Sequence, residues 1–164
     1  MDASTELYDK DIIMPTPMDV FTGSNITVGI GTAGPTTATT FTTIPEIAAF
    51  PGTGSTATVI EVVSFNSSYN RKLVGSKTNA DVTLQVNWMP DNTVHQQLVT
   101  AFENGTRIQL KFSYFTDATK TAGSYVVYNG FISEKKIESD RDKVVNMTLN
   151  FACDGAAVAQ GLLP

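Results

Sequence analysis

Apolar and polar side chains alternate along several runs of this chain, and one run follows a different period. Val82, Leu84, Val86 and Trp88 alternate with Thr83, Gln85 and Asn87. Ile108, Leu110, Phe112 and Tyr114 alternate with Arg107, Gln109, Lys111 and Ser113, and Val145, Met147, Leu149 and Phe151 alternate with Asn146, Thr148 and Asn150. A period of two predicts strands with one buried and one polar face. The β-branched run "TATVIEVVSF" (56–65) predicts a further strand, as does "SYVVYNGFIS", with a bend or bulge at Asn129-Gly130. "NITVGI" reads as a short strand. Only between residues 92 and 104 does the period change. Val94, Leu98, Ala101 and Phe102 fall at i, i+4, i+7 and i+8, one apolar stripe of a helix. Pro90 stops the preceding strand, Asp91 or Asn92 can cap the first turn, and Asn104-Gly105 supplies a left-handed stop. A helix of about three turns is marginal alone, so its stripe must cover the open face or end of a sheet. The expected fold is mainly β, an antiparallel sandwich or barrel-like body with one flanking helix.

The segments between these runs set the organisation. Residues 1–21, with "MPTPMDVF", read as an extended N-terminal arm. From Val20 to Pro45 there is no charged residue, and the Thr, Gly and Ala of "GTAGPTTATTFTTIP" favour strands and turns over helix. "NSSYNRKLVGSKTNAD" (66–81) predicts a long polar loop, of the length that is usually functional or disordered. "KKIESDRDK" reads as a solvated hairpin or strand edge, and 156–164, "AAVAQGLLP", as a C-terminal arm. A chain of 164 residues favours one domain.

Charge changes the picture more than composition does. The net charge is −5 and charged residues make up only 16% of the chain, which excludes a basic nucleic-acid-binding surface as the default. Residues 1–60 hold six acids and one base, while the remainder balances. The start, "MDASTELYDK", lacks the basic and apolar regions of an export signal, no apolar run is long enough for a membrane helix, and the lone Cys153 rules out an internal disulfide framework. These features point to a chain made in a reducing cytoplasm.

Candidate chemistry is sparse. "GIGTAG" (29–34) fits G-x-G-x-x-G, but "PTTATTF" follows where a dinucleotide site needs a helix, so a Gly-rich turn is expected. "SEKK" (133–136) matches a Ser-x-x-Lys motif outside the helix start it requires. His95 is the only histidine and lies in the first turn of the helix, where a structural role is expected. Glu134, Glu138, Asp140 and Asp142 are interleaved with Lys135, Lys136, Arg141 and Lys143, a pattern of a solvated, ion-paired surface without calcium-loop spacing. Four Asn-x-Ser/Thr sequons, at Asn25, Asn66, Asn104 and Asn146, carry no meaning without export. No catalytic set, metal or cofactor is expected.

The order of elements is the specific signal. Strand "TVIEVVSF", long polar segment, strand "VTLQVNWMP", helix "NTVHQQLVTAFENG", strands "RIQLKFSYF" and "VVYNGFIS", charged link and strand "VVNMTLNF" together resemble the major tail tube protein of long-tailed, lambda-like bacteriophages, over roughly 41–155. The sharpest stretch is 82–106. The lambda protein carries a further immunoglobulin-like domain for which this chain has no room, and residues 1–40 are not placed by the resemblance.

That resemblance implies a structural virion protein. Six copies form a ring, rings stack into a tube, and DNA passes through the lumen without specific binding. It implies that the segment carrying Tyr69, Asn70, Arg71, Lys72 and Leu73 reaches between subunits, and that both arms add contacts between rings. It implies a tape measure protein, a tail terminator and baseplate or tail-tip proteins as partners, with assembly in the host cytoplasm. A ring of six subunits at −5 carries about −30, which repels DNA where acids line the bore. Glu134, Glu138, Asp140 and Asp142, or acids of the N-terminal region, are the candidates. A Thr-rich adhesin or pilin-like binding subunit is the alternative reading, and it would require export.

Overall fold

The computed structural model describes residues 23–163, so the arm expected over 1–21 lies outside the described residues. Nine strands and one helix follow in order: β1 (Ile26–Thr32), β2 (Thr42–Thr43), β3 (Ser55–Val62), β4 (Arg71–Asn79), β5 (Val82–Asn87), α1 (Thr93–Glu103), β6 (Ile108–Phe115), β7 (Gly123–Glu138), β8 (Asn146–Cys153) and β9 (Ala159–Leu163). Seven strands form one sheet in the order β2-β1-β6-β7-β8-β5, with β9 also on β7. β3 and β4 form a separate two-stranded ribbon.

β7 joins two halves of the body. Its residues 123–130 pair with β6, and residues 130–138 pair with β8. Gly130 is the handover, opposite both Ile108 and Cys153, and a Cβ there would overlap the Ala152 carbonyl. The bulge expected at Asn129-Gly130 falls slightly later, between Ile132 and Glu134. The strand also continues through "EKKIE", in the stretch read as a solvated hairpin or strand edge, because the alternate partners Met147 and Leu149 on β8 give Ile137 and Lys135 a sheet to pair with.

The sheet closes on itself through residues 42–48. β2 pairs with β1, Ile44 N–H donates to Val28 O at 2.7 Å, and Ile47 bridges to Val86 on β5. Ala48 N–H to Gln85 O and Asn87 N–H to Glu46 O, both 2.8 Å, complete the seam. This is the barrel-like form of the expected fold. Its core is the set of inward residues that alternation picks out: Val82, Leu84 and Val86, then Leu110 and Phe112, then Met147, Leu149 and Phe151.

Helix α1 covers one opening of this core. The Asn92 side chain accepts from Val94 N–H (3.0 Å) and His95 N–H (3.2 Å), satisfying two of the free amides of the first turn. Gly105, at φ +60°, provides the expected stop. Val94, Leu98 and Ala101 are buried and Phe102 packs partly against the core. His95 is fully buried and structural. Its Nδ1 accepts from Met89 N–H (3.2 Å) and its Nε2 faces Pro45 O (3.1 Å), so the proton sits on Nε2. The ring stacks on Trp88 at 5.9 Å and so ties helix, β5 and seam together.

Three expectations change. Residues 71–79, read within a loop over 66–81, form β4, because β-branched and long side chains there meet those of β3 in register. Residues 159–163, read as a C-terminal arm, form β9 on the edge of β7 opposite β6. "GIGTAG" is no turn: Gly29 and Gly31 lie in β1, where their bare backbone lets Phe41 rest directly on the sheet. The uncharged loop over 33–41 is held by two amides paired across β6 and β7. Buried Gln109 accepts from Ala38 N–H (2.6 Å) and donates to Thr36 O (3.1 Å) and Asn129 Oδ1 (3.0 Å), and Asn129 donates to Gly34 O (2.6 Å).

Candidate functional site: two surfaces for assembly

The β3–β4 ribbon leaves the body at Gly54 and returns at Ala80, whose N–H donates to Gly54 O at 2.9 Å. Val59 lies opposite Val74, Ile60 opposite Leu73, Glu61 opposite Lys72 and Val62 opposite Arg71. These pairs alternate between the two faces of the ribbon, so each face carries an apolar pair beside a residue of opposite or mixed character. Every residue of β3 is exposed. At the tip, Ser67 Oγ donates to Tyr69 O (3.0 Å) and Asn70 Nδ2 donates to Glu61 Oε1 (3.0 Å). Phe65 is 100% exposed there and Tyr69 is 84% exposed.

Eight large apolar side chains between Val59 and Val74 are thus open to solvent. A lone two-stranded hairpin is at best marginally stable in water, and a contiguous apolar surface of this extent marks an interaction site. Both faces of the ribbon carry exposed apolar side chains. Of the residues singled out from sequence, Tyr69 and Asn70 sit at the tip and Arg71, Lys72 and Leu73 in β4. Missed were Val59, Ile60, Val62, Val63, Phe65 and Val74. Their signal was present: "VIEVV" has apolar residues at consecutive positions, which fits a strand covered on both faces, but none of the described residues covers it.

The second surface is the outward face of β5, β8 and the later half of β7. Cross-strand register sets three rows: Thr83–Asn150–Glu134, Gln85–Thr148–Lys136 and Asn87–Asn146–Glu138. Amides and hydroxyls dominate. Lys136, the only base in these rows, pairs with Glu138 at 2.5 Å, which raises its pKa, chiefly through that hydrogen bond. The face is therefore net acidic by one charge, with Glu134 in no ion pair among the described residues. Asp140 and Asp142 stand apart from it in the turn before β8, where Asp140 pairs with Lys143 at 2.7 Å. The later half of β7, residues 131–138, has a strand partner on one edge only, β8. Such an edge is a template for another chain.

Nothing among the described residues forms a metal-binding group of His, Cys, Asp and Glu. Burial, with a smaller contribution from Asp81, pushes the Cys153 thiol up to about 11. A concavity of about 710 Å³ between α1 and β1 is lined mainly by Thr and Gln; its one base, Arg107, is engaged with Asp154. No helix of the described residues is long and apolar enough to cross a membrane.

Comparison with known proteins adds the following. The sequence profile described as phage tail tube, TTP, lambda-like matches residues 30–160. No curated protein sequence matches the chain. Among solved structures, the SPP1 tail tube is similar with a TM-score of 0.59 at 11% identity, covering 88% of this chain and 79% of that one. A chain of the virion of a native gene transfer agent particle gives 0.64 at 14% identity, over 88% of this chain and 100% of the other. A chain of the six-fold symmetrised baseplate of the anti-feeding prophage gives 0.62 at 12% identity, over 92% and 97%. At these identities the likeness establishes the fold.

Proposed function

The chain belongs to the lambda-like phage tail tube family, and from that premise we propose how its two surfaces build a tube. The protein is a structural component of a virion tail, not an enzyme. Six copies form a ring by inserting the β3–β4 ribbon of each subunit between its neighbours, within the ring and in the ring above or below. The single observation that carries this reading is the ribbon's apolarity on both faces, with Phe65 and Tyr69 bare at its tip. Tyr69, Asn70, Arg71, Lys72 and Leu73 are then inter-subunit contacts. The open edge of β7 offers backbone groups that a neighbour's ribbon can satisfy.

The outward face of β5, β8 and β7 is the surface proposed for the bore. A conduit for DNA ejection must let phosphates slide, and Lys or Arg contacts supply most nonspecific affinity. The three rows offer one base, already neutralised by Glu138. Glu134 and Glu138 are the acids proposed to face DNA, with Asp140 and Asp142 at the margin. A tape measure protein, tail terminator and baseplate or tail-tip proteins are the expected partners, and the host cytoplasm the place of assembly.

Electron microscopy of the purified protein tests the reading. Rings or tubes with a central hole support it; compact monomers that bind a glycan array support an adhesin instead. Amide exchange over 55–79 must slow on assembly, and equal protection in free subunit and tube counts against the ribbon's role.

A further inference from the structure

On the face of the sheet opposite the core, at the end where the described chain begins, lies a cavity of about 430 Å³. Lys111 rises from β6 into it between two rings, 5.7 Å from the centroid of Phe41 and 4.9 Å from that of Tyr125. Lys120, from the turn between β6 and β7, lines the same cavity, as do the hydroxyls of Thr27, Thr43, Ser113 and Thr121. Among the described residues no carboxylate lines it. Asp117, the acid of that turn, is already engaged: the Thr119 hydroxyl donates to it, as do the Thr121 hydroxyl (2.6 Å) and Thr121 N–H (3.1 Å). Among the described residues Arg107, Lys135, Lys136 and Lys143 each have an acidic partner, while Lys111 and Lys120, like Arg71, Lys72, Lys77 and Arg141, are in no ion pair; only Lys111 and Lys120 share a cavity.

Among the described residues the cavity's two lysines therefore meet no counter-charge, and Lys111 is half-buried against aromatic walls, where the lower dielectric strengthens any pairing. The missing charge is present in the sequence. Residues 1–22 carry Asp2, Glu6, Asp9, Asp11 and Asp19 against Lys10 alone. That segment joins the body at the cavity's rim: Asn25 O accepts from Phe115 N–H at 2.8 Å, and both Phe115 and Thr27 line the cavity. Twenty-two residues can span roughly 70 Å, far more than needed to turn back. A short tether also sets an effective concentration on the order of millimolar.

We propose that the acidic N-terminal segment, residues 1–22, docks on its own chain with carboxylates on Lys111 and Lys120. Asp19 is the acid of that segment nearest in sequence to the described body. The contact is electrostatic, so it weakens with salt, and it is independent of tube formation.

Zero-length carbodiimide coupling joins a lysine to a carboxylate only in direct contact. Full-length protein is prepared as an equal mixture of ¹⁴N and ¹⁵N chains, coupled, digested and read by mass spectrometry. Lys111 or Lys120 is expected joined to acids of 1–22, in all-light and all-heavy pairs only. In the K111Q/K120Q variant the lysine-to-segment products must disappear, while the Lys135–Glu103 and Lys143–Asp140 pairs still couple and show the body intact. Mixed light–heavy products overturn the proposal, since the segment then comes from a neighbour. So does the absence of any Lys111 or Lys120 product in wild-type protein in which the two control pairs couple.

Discussion

Replacing Val59 and Val74 together by Thr separates folding from assembly. The two residues face each other across the ribbon and are 60% and 72% exposed. Thr keeps the β-branched shape and the strand preference, so the ribbon persists. In the free subunit most of each side chain already meets water, and the change in stability should stay within about 0.5 kcal/mol. In the tube the exposed remainder becomes covered. Full burial of a valine contributes roughly 1.5 kcal/mol, so about two-thirds of each side chain leaves ~1 kcal/mol per residue to be gained on assembly. The pair then removes about 2 kcal/mol per subunit, which is roughly a 30-fold rise in the concentration at which tubes form. Sedimentation of a concentration series measures that threshold, and urea unfolding of the free subunit supplies the control. An unchanged threshold would falsify the covered-ribbon mechanism. A subunit destabilised as much as the assembly would place the two valines in the folding core instead.

Gln109→Ala removes three hydrogen bonds, two to the 33–41 loop and one to Asn129, at a net of about 1 kcal/mol each; roughly 3 kcal/mol should be lost in urea unfolding, with the Ala38 amide exchanging faster, and a loss under ~1 kcal/mol would mean water replaces the side chain. Asp117 is held below the usual carboxylate range by the Thr119 and Thr121 hydroxyls and then by the Ala122 and Thr121 amides. Because its folded-state pKa is depressed, its contribution is present above the unfolded value near ~3.9 and fades as pH falls below it; Asp117→Asn should flatten the acid limb of the stability curve, and identical limbs would show the turn to be uncoupled from folding. Glu134→Lys puts a second base on the proposed bore face; tails counted by microscopy should stay normal while DNA delivery slows, more so at low salt, and loss of tails altogether would make Glu134 an assembly residue.

How far the sequence could be read depended on whether the covering partner lies within the chain. Val82–Leu84–Val86 and Met147–Leu149–Phe151 bury one face against each other, so their alternation located β5 and β8 directly. The helix was legible because Asn92 and Gly105 mark its ends in chemistry that needs no partner. β4 was not, since "RKLVGSK" is polar and apolar without period, and its strand exists only by register with β3. β9 was missed for a related reason: Ala159, Gly161 and Leu162 show no alternation, and their place is set by the exposed edge of β7. Within the bore-face rows, the acids were noticed as a cluster along the chain, but pairing separates them: Glu134 and Glu138 share a face, and Asp140 and Asp142 belong to a turn.

The closure of the body through β1, β6 and the 42–48 seam has a consequence for how the chain is born. Val28 pairs with Phe112, and Ile47 with Val86. At roughly 5–20 residues per second of synthesis, the partner of β1 emerges on the order of 4–17 s later. During that interval the nascent chain already displays the whole ribbon, with Val59, Ile60, Phe65 and Leu73 bare, before any body exists to carry it. Many ribosomes on one message would then hold many such ribbons side by side. A surface proposed to join copies is thus a hazard of translation until β6 arrives.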